Sequence, residues 1–585
     1  MLQRAARDTI SGETSNADVL HVSPSPNWTT AAHPVFQTNA GAGYCRIPQA
    51  LALDLTVLYF SHAYNASLLL HQETFLSEVR AGTANHHVLL SACAFASKFY
   101  RGPSSHHSLT DAGFGREWAR SAESMVTMEL GEPREENIVT YINLALYWYS
   151  EGAWRKSFIY KWNGIQIAYV LGIPAGRQEP NAKPLEVEVR RRRFWACACM
   201  MLFGSKPDFA MNNFSQATAR LRKPCPESQF EAMSKTNASM SRSSEPSIYA
   251  VLIDILMIWN DIYYSVKNGN NQLDNLQSLH SRVEAWNSSL PGAWKFTPAL
   301  LESSWTHVQP LYILLHILYH QSLATLHASI VPLFSWGHSE AGLNYARRSS
   351  AQEAFERACS VSACLKAILQ SSLSPDRIPS FIGYAAYASC AVQIPFRWCT
   401  DPEVRARVST NLVANLKIMQ QMGLYWRFIS LLCTNVMALY STVEKDRPEL
   451  HGEPKVLTPD QLCNHRCVHG RAHTSILSHN EIVWNRGSMA ERDAEIVDLG
   501  LQASESQQGA INEGAISSLI EEVSKISNPD SPPNNPLLMM EPNIFDGLPD
   551  YSSDRYLVPS EQVSSFDYWL DQFDAEIDFD ISSKQ

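Results

Sequence analysis

Long uninterrupted apolar runs are missing from this 585-residue chain, and no apolar stretch follows Met1. The nearest approach to a membrane span, residues 311–334, is broken by His316, His320, Gln321 and His327, which points to a buried helix and to no membrane partner. Without a secretory apolar region the twelve scattered cysteines are expected to stay reduced, and sequons such as that at Asn65 to be incidental. Strict apolar/polar alternation is equally scarce. No run is long enough to suggest a sheet, so the periodic segments are expected to be helices.

Catalytic signatures are wanting as well. Gly41-x-Gly43 is followed at the next dinucleotide-fingerprint position by Arg46, and no G-x-S-x-G, H-E-x-x-H or phosphate-binding loop occurs. A helical terpene cyclase would need acidic magnesium ligands, yet there is no Asp-Asp pair, and Asn260-Asp261 stands one residue too far from Ser265. The expectation is a non-enzyme. Helical histidines 316, 320 and 327 could face a cavity, but core or surface positions are the commoner outcome.

What is present is charge unevenly spread. The net charge is −11, and residues 541–585 alone hold eleven acids against two bases, so the remaining chain is near neutral. A near-neutral body argues against nonspecific nucleic-acid binding. Residues 1–46 are polar, rich in Ser, Thr, Asn, Pro and Gly, and read as disordered. Residues 446–535 read as a polar linker, with a short helix around 515–526.

The most informative stretch is residues 152–207. Trp162, Ile165, Ala168, Tyr169, Leu171 and Ile173 recur at helical spacing, and Gly172 ends the pattern. A second helix begins with Glu186 and Glu188, continues through Arg190 to Arg193, and runs into an apolar body from Phe194 and Trp195 through Cys197, Cys199, Met200 and Leu202. The arginine run has two readings. It is either a basic import patch or a helical turn whose guanidinium groups meet Glu186, Glu188 or other acids. Cys197 and Cys199 are expected to be core residues.

These residues resemble the signature of the fungal-specific transcription factor domain, also called the middle homology region. The pattern covers Trp162, Gly164, Leu171-Gly172, Glu188, Arg191, Arg192, Arg193, Phe194, Trp195, Gly204 and Pro207, then Leu221, Pro224 to Glu227 and Phe230. Further similarity, from Tyr59-Phe60 to Trp426, extends it over residues 51–440. The resemblance implies an all-α fold with a large multi-helix regulatory domain at 47–445, and a nuclear regulator of transcription, a pathway-specific activator of secondary metabolism or carbon use. It also implies a small-molecule effector held between helices. The alternative is a co-regulator or inhibitor that pairs with a full-length zinc-cluster factor without contacting DNA itself.

Zinc-cluster factors carry six cysteine thiolates within about 30 residues, because two tetrahedral zinc ions need them. Here the first cysteines are Cys45 and Cys93. The chain as given is therefore expected to lack that module, to hold no cofactor, and to reach DNA through a partner; zinc would enter only with an additional N-terminal cluster. Cys463, His465, Cys467 and His469, with His473 nearby, form the one compact set of soft ligands, but their spacing fits no common finger.

Residues 536–585 form an acidic-aromatic tail. Phe566, Trp569, Leu570, Phe573 and Ile577 fall at i, i+3, i+4, i+7 and i+11 among aspartates. Such composition suits an activation segment, in which acids keep aromatics solvated until a transient helix offers them to the groove of a coactivator. The bland alternative is a helix docked on the chain's own body.

Overall fold

The computed structural model describes residues 47–101, 109, 113–176, 182–203, 217–235, 246–267, 273–297, 309–335, 344–463 and 505–525. The fold is all-α, and no β-strand occurs among the described residues.

The helical pattern that opens at Leu51 breaks into three helices, α1 (Gln49–His62), α2 (Ala66–Leu69) and α3 (Gln72–Ala81). Asn65 is the N-cap residue of α2, and the His71 ring accepts from the Thr74 amide to cap α3. A small-residue helix, α4 (His86–Ala96), then packs on α1, on α5 (Phe114–Met128) and on α6 (Glu135–Glu151). Its Ala92, Cys93, Ala94 and Ala96 are fully buried, and short side chains let the neighbouring helices approach closely.

Helix α6 packs most extensively on α7 (Trp154–Val170), and both meet α8 (Pro184–Leu202). The next helices are α9 (Glu227–Ala232), α10 (Ile248–Lys267) and α11 (Leu273–Ser289), the last stopped ahead of Pro291. Residues 248–266 of α10 are long and apolar enough to cross a membrane by length and composition; here the helix packs against α8 and α11.

Helix α10 also meets α12 (Gln309–Ala328), which the short α13 (Pro332–Ser335) follows. Helix α12 is buried along almost its whole length, and it packs on the 27-residue α14 (Asn344–Gln370). Helices α15 (Phe381–Gln393), α16 (Pro402–Gly423) and α17 (Arg427–Lys445) complete the C-terminal half, and α17 returns to touch α6.

The span expected to be a polar linker contains ordered structure at both ends. A short helix, α18 (Pro459–Cys463), packs on α13 and α14. Helix α19 (Glu505–Ser524) is twenty residues long and lies on α16 and α17. Ile516, Leu519 and Val523 are its buried stripe. Arg397 donates to the carbonyls of Val523 (3.5 Å) and Lys525 (2.8 Å), supplying partners for the carbonyls that a helix end leaves open. Apolar residues three and four apart are few in this segment, so periodicity alone underestimated it. Residues 1–46 and the acidic-aromatic tail lie outside the described residues.

Candidate functional site

The stretch singled out in the sequence forms one physical unit. Helix α7 ends where the chain turns into the left-handed region at Gly172, with φ of 67°. There the Gly172 amide donates to Tyr169 O (2.9 Å) and the Ile173 amide to Ala168 O (3.1 Å), a Schellman closure with Ile173 buried beneath it. Gly164 faces the contact with α6 and α8, where an added Cβ would stand 3.0 Å from Ile142 Cδ1 and 3.6 Å from Cys197 Sγ. Trp162 is half-buried on α7, its ring 6.2 Å from that of Phe158.

Helix α8 starts with Pro184 in its first turn, and Glu186 accepts from the Lys183 amide at 3.0 Å. Glu186 therefore caps the helix and does not pair with the arginines. Their partners come from elsewhere. Glu188, 1% exposed, accepts from Arg192 Nε (3.0 Å) and from the Cys225 amide (2.9 Å), and forms an ion pair with Arg191.

Arg192 is wholly buried and also donates to Ser67 O (3.2 Å), Cys225 O (2.6 Å) and Glu227 Oε1 (2.8 Å). Its guanidinium lies 3.8 Å over the Phe230 ring. Arg193 donates to Leu69 O and Glu135 Oε2, both at 3.2 Å, and Arg190 to Leu171 O at 2.6 Å. Ser67 and Leu69 belong to α2, so the arginines bind its backbone carbonyls. Trp195 Nε1 donates to Arg222 O (2.9 Å), and Phe194 and Trp195 are fully buried.

Two separated signature segments, 188–195 and 221–230, are thus bonded to each other. All four arginines are engaged by carboxylates or carbonyls. Gly204 and Pro207, by contrast, lie outside the described residues.

Beside this cluster lies a cavity of about 930 Å³ between α3, the start of α6 and the start of α8. Arg190, Arg191, Arg193 and Arg222 line it together with Glu78, Glu135 and Glu136. Burial raises the carboxyl of Glu135 above its ordinary range, against the pull of Arg193 and Arg190. Across this wall Arg190 and Arg193 are paired with Glu135, and His71, which also lines it, is hydrogen-bonded to the Thr74 hydroxyl at 2.8 Å.

Cys197 and Cys199 are fully buried core thiols, Cys199 pushed up to about 12 by burial. Among the described residues no group of three or more His, Cys, Asp or Glu is placed to hold a metal ion. Cys463 closes α18, while His465, Cys467 and His469 lie outside the described residues, as do Phe566, Trp569, Leu570, Phe573 and Ile577.

None of the three helical histidines of α12 lines this cavity. His316 Nε2 donates to Trp294 O (2.6 Å), His327 bonds His280 (2.9 Å) and Ser350 (3.0 Å), and the His320 ring lies 4.8 Å from that of Tyr319. Burial lowers the pKa of His320 to about 3 and of His327 to about 4.

Sequence reasoning missed a second, smaller cavity of about 130 Å³ where α6, α7, α8, α15 and α17 converge. Its lining comes from residues as far apart as Tyr64 and Phe428, so no local pattern announces it.

No protein-family model matches the chain. It is similar to the Zn(2)-C6 fungal-type transcription factor FTF1c of Fusarium oxysporum f. sp. lycopersici, 24% identical over 445 residues, 68% of this chain and 46% of the relative. FTF2 of the same fungus is 23% identical over 425 residues, 66% of this chain and 39% of the relative. An uncharacterized transcriptional regulatory protein of Schizosaccharomyces pombe, C1327.01c, is 20% identical over 559 residues, 82% of this chain and 56% of the relative. The chain spans about half the length of the curated relatives it matches. Its homologues are fungal transcription factors and transcriptional regulators at low identity.

Proposed function

We propose that this chain is a nuclear regulator of transcription, a pathway-specific activator of secondary metabolism or carbon use. In this reading the helical body receives a small-molecule signal and the acidic-aromatic tail recruits coactivator. The observation that carries the reading is similarity to fungal transcription factors over about two thirds of the chain. The tail adds to it, since its aspartates surround Phe566, Trp569, Leu570, Phe573 and Ile577 in the spacing of one helical face.

The test fuses residues 536–585 to a foreign DNA-binding domain and reads a reporter. Expected is strong activation that Trp569→Ala with Phe573→Ala abolishes, because aromatic anchors dominate such contacts. An inert fusion, or full activity in the double variant, refutes the activator role.

A second reading draws on the same similarity to Zn(2)-C6 factors. In it the chain acts as a co-regulator or inhibitor that reaches DNA through a zinc-cluster partner. Stoichiometric co-purification with such a factor, together with a silent tail, is its signature.

A further inference from the structure

The small cavity between the two halves of the body has an unusual wall. Half of its lining residues are aromatic, Phe381, Tyr384 and Phe428 among them. Into this lining α7 brings Lys161, whose Nζ makes no hydrogen bond or ion pair among the described residues and lies 5.3 Å from the centre of the Phe158 ring. Tyr64 and Tyr149 line the same cavity, and their hydroxyls also make no hydrogen bond among the described residues. Three other cations of the body have carboxylate partners. Arg192 and Arg193 each meet carboxylates, and Lys98 meets Glu151.

From an unpaired ammonium and two unpaired phenol groups around one aromatic cavity, we infer that this is a binding site for a small aromatic carboxylate. The ring occupies the aromatic lining, and the carboxylate takes the ammonium and the hydroxyls, all of which donate. The volume is near that of a single-ring site. A dry cavity of about 150 Å³ accepts one benzene ring, and this one measures about 130 Å³.

Burial lowers the Lys161 pKa to about 8, the direction expected of an ammonium held without a counter-charge. A bound carboxylate supplies that charge. Its location gives the site leverage, because the lining joins α6, α7 and α8 of the N-terminal half to α15 and α17 of the C-terminal half. Occupancy would tie the halves together and raise stability in proportion to ligand concentration over Kd. The inference deepens the regulatory reading and rests on it only for the consequence of binding; the site itself is tested on purified protein, apart from any reporter.

The experiment titrates the full chain with benzoate, benzamide and benzylamine, reading calorimetric heat and thermal stabilisation. Benzoate is expected to bind saturably, with the neutral amide and the cationic amine at least tenfold weaker. Lys161→Met, which keeps the apolar stem, is expected to erase the preference for benzoate over benzamide, while an exposed-face control, Arg155→Met, keeps it.

Should Lys161→Met fail to fold by circular dichroism, Tyr149→Phe takes its place, with benzoate affinity expected to fall about fivefold for one lost hydrogen bond. Equal affinity for the three probes, no binding of benzoate at millimolar concentration, or benzoate binding unchanged in both variants overturns the assignment. A reporter that ignores benzoate despite tight binding would instead count against the regulatory reading alone.

Discussion

Replacing Glu188 by Gln tests the account of α8 directly. The carboxylate is 1% exposed and binds Arg192, Arg191 and the Cys225 amide, so it is both a counter-charge and a tie between α8 and the segment leading to α9. An amide of the same shape can still accept from Cys225, but it leaves Arg192 with Glu227 as its carboxylate partner. Removing one partner of a buried pair costs about 3–5 kcal/mol, because the remaining charge stays desolvated. The surviving Glu227 contact places Glu188→Gln near the lower end, about 3 kcal/mol.

Glu186→Gln is the control. That residue also accepts one amide hydrogen bond but lies at the helix start in contact with solvent, and its loss should cost below about 1 kcal/mol. Urea unfolding of the full chain, followed by far-UV circular dichroism, measures both. A double variant, Glu188→Met with Arg192→Leu, should recover much of the loss, since apolar residues of similar volume replace buried pairs with little penalty. Equal midpoints for Glu188→Gln and Glu186→Gln would refute the claim that the paired arginines hold this domain together.

Three further outcomes follow from the packing. Because His320 and His327 stay neutral in the fold while an unfolded histidine takes a proton near its ordinary value of 6.5, stability is fully present above that value and lost as pH falls toward about 4. Each ring accounts for about 1.4 kcal/mol between pH 7.5 and 5.5, and thermal unfolding that is flat across that window would contradict the burial. Gly172→Ala forces a Cβ into the left-handed turn at φ 67° and should lower stability by about 1 kcal/mol, readable as a shifted denaturation midpoint. Leu519→Ala empties a site that is 1% exposed, and should cost about 2–5 kcal/mol for the docking of α19. Limited proteolysis should then cut near residue 505 faster than in the wild type; an unchanged rate would show that the helix does not depend on this contact.

Much of the local structure is legible in the residues. Helical periodicity and the stops at Gly172 and Pro291 act within a few residues of the chain, so α7, α8 and α11 are found where their patterns stand. The pairing of α8 was legible only in outline. Four arginines entering a buried helix imply carboxylate partners, and Glu188 is one of them, but Glu186 is used by the helix cap, and Glu135 and Glu227 from other segments complete the set. Helix α19 was read short because its buried stripe is three residues within a polar segment, and its docking depends on Arg397 far upstream.

By itself the sequence determined an all-helical class, the absence of familiar catalytic motifs and the concentration of acid and aromatic residues at the C-terminal end, since each depends on composition or on spacing within one element. Only the tertiary structure decided which carbonyl meets which guanidinium, with Arg192 bound to Ser67 from 125 residues away, and that Lys161 shares a cavity with Tyr64 and Phe428. The physical reason is that buried charges and cavity walls are settled by packing between helices, and packing brings together residues that no periodicity within a single helix relates.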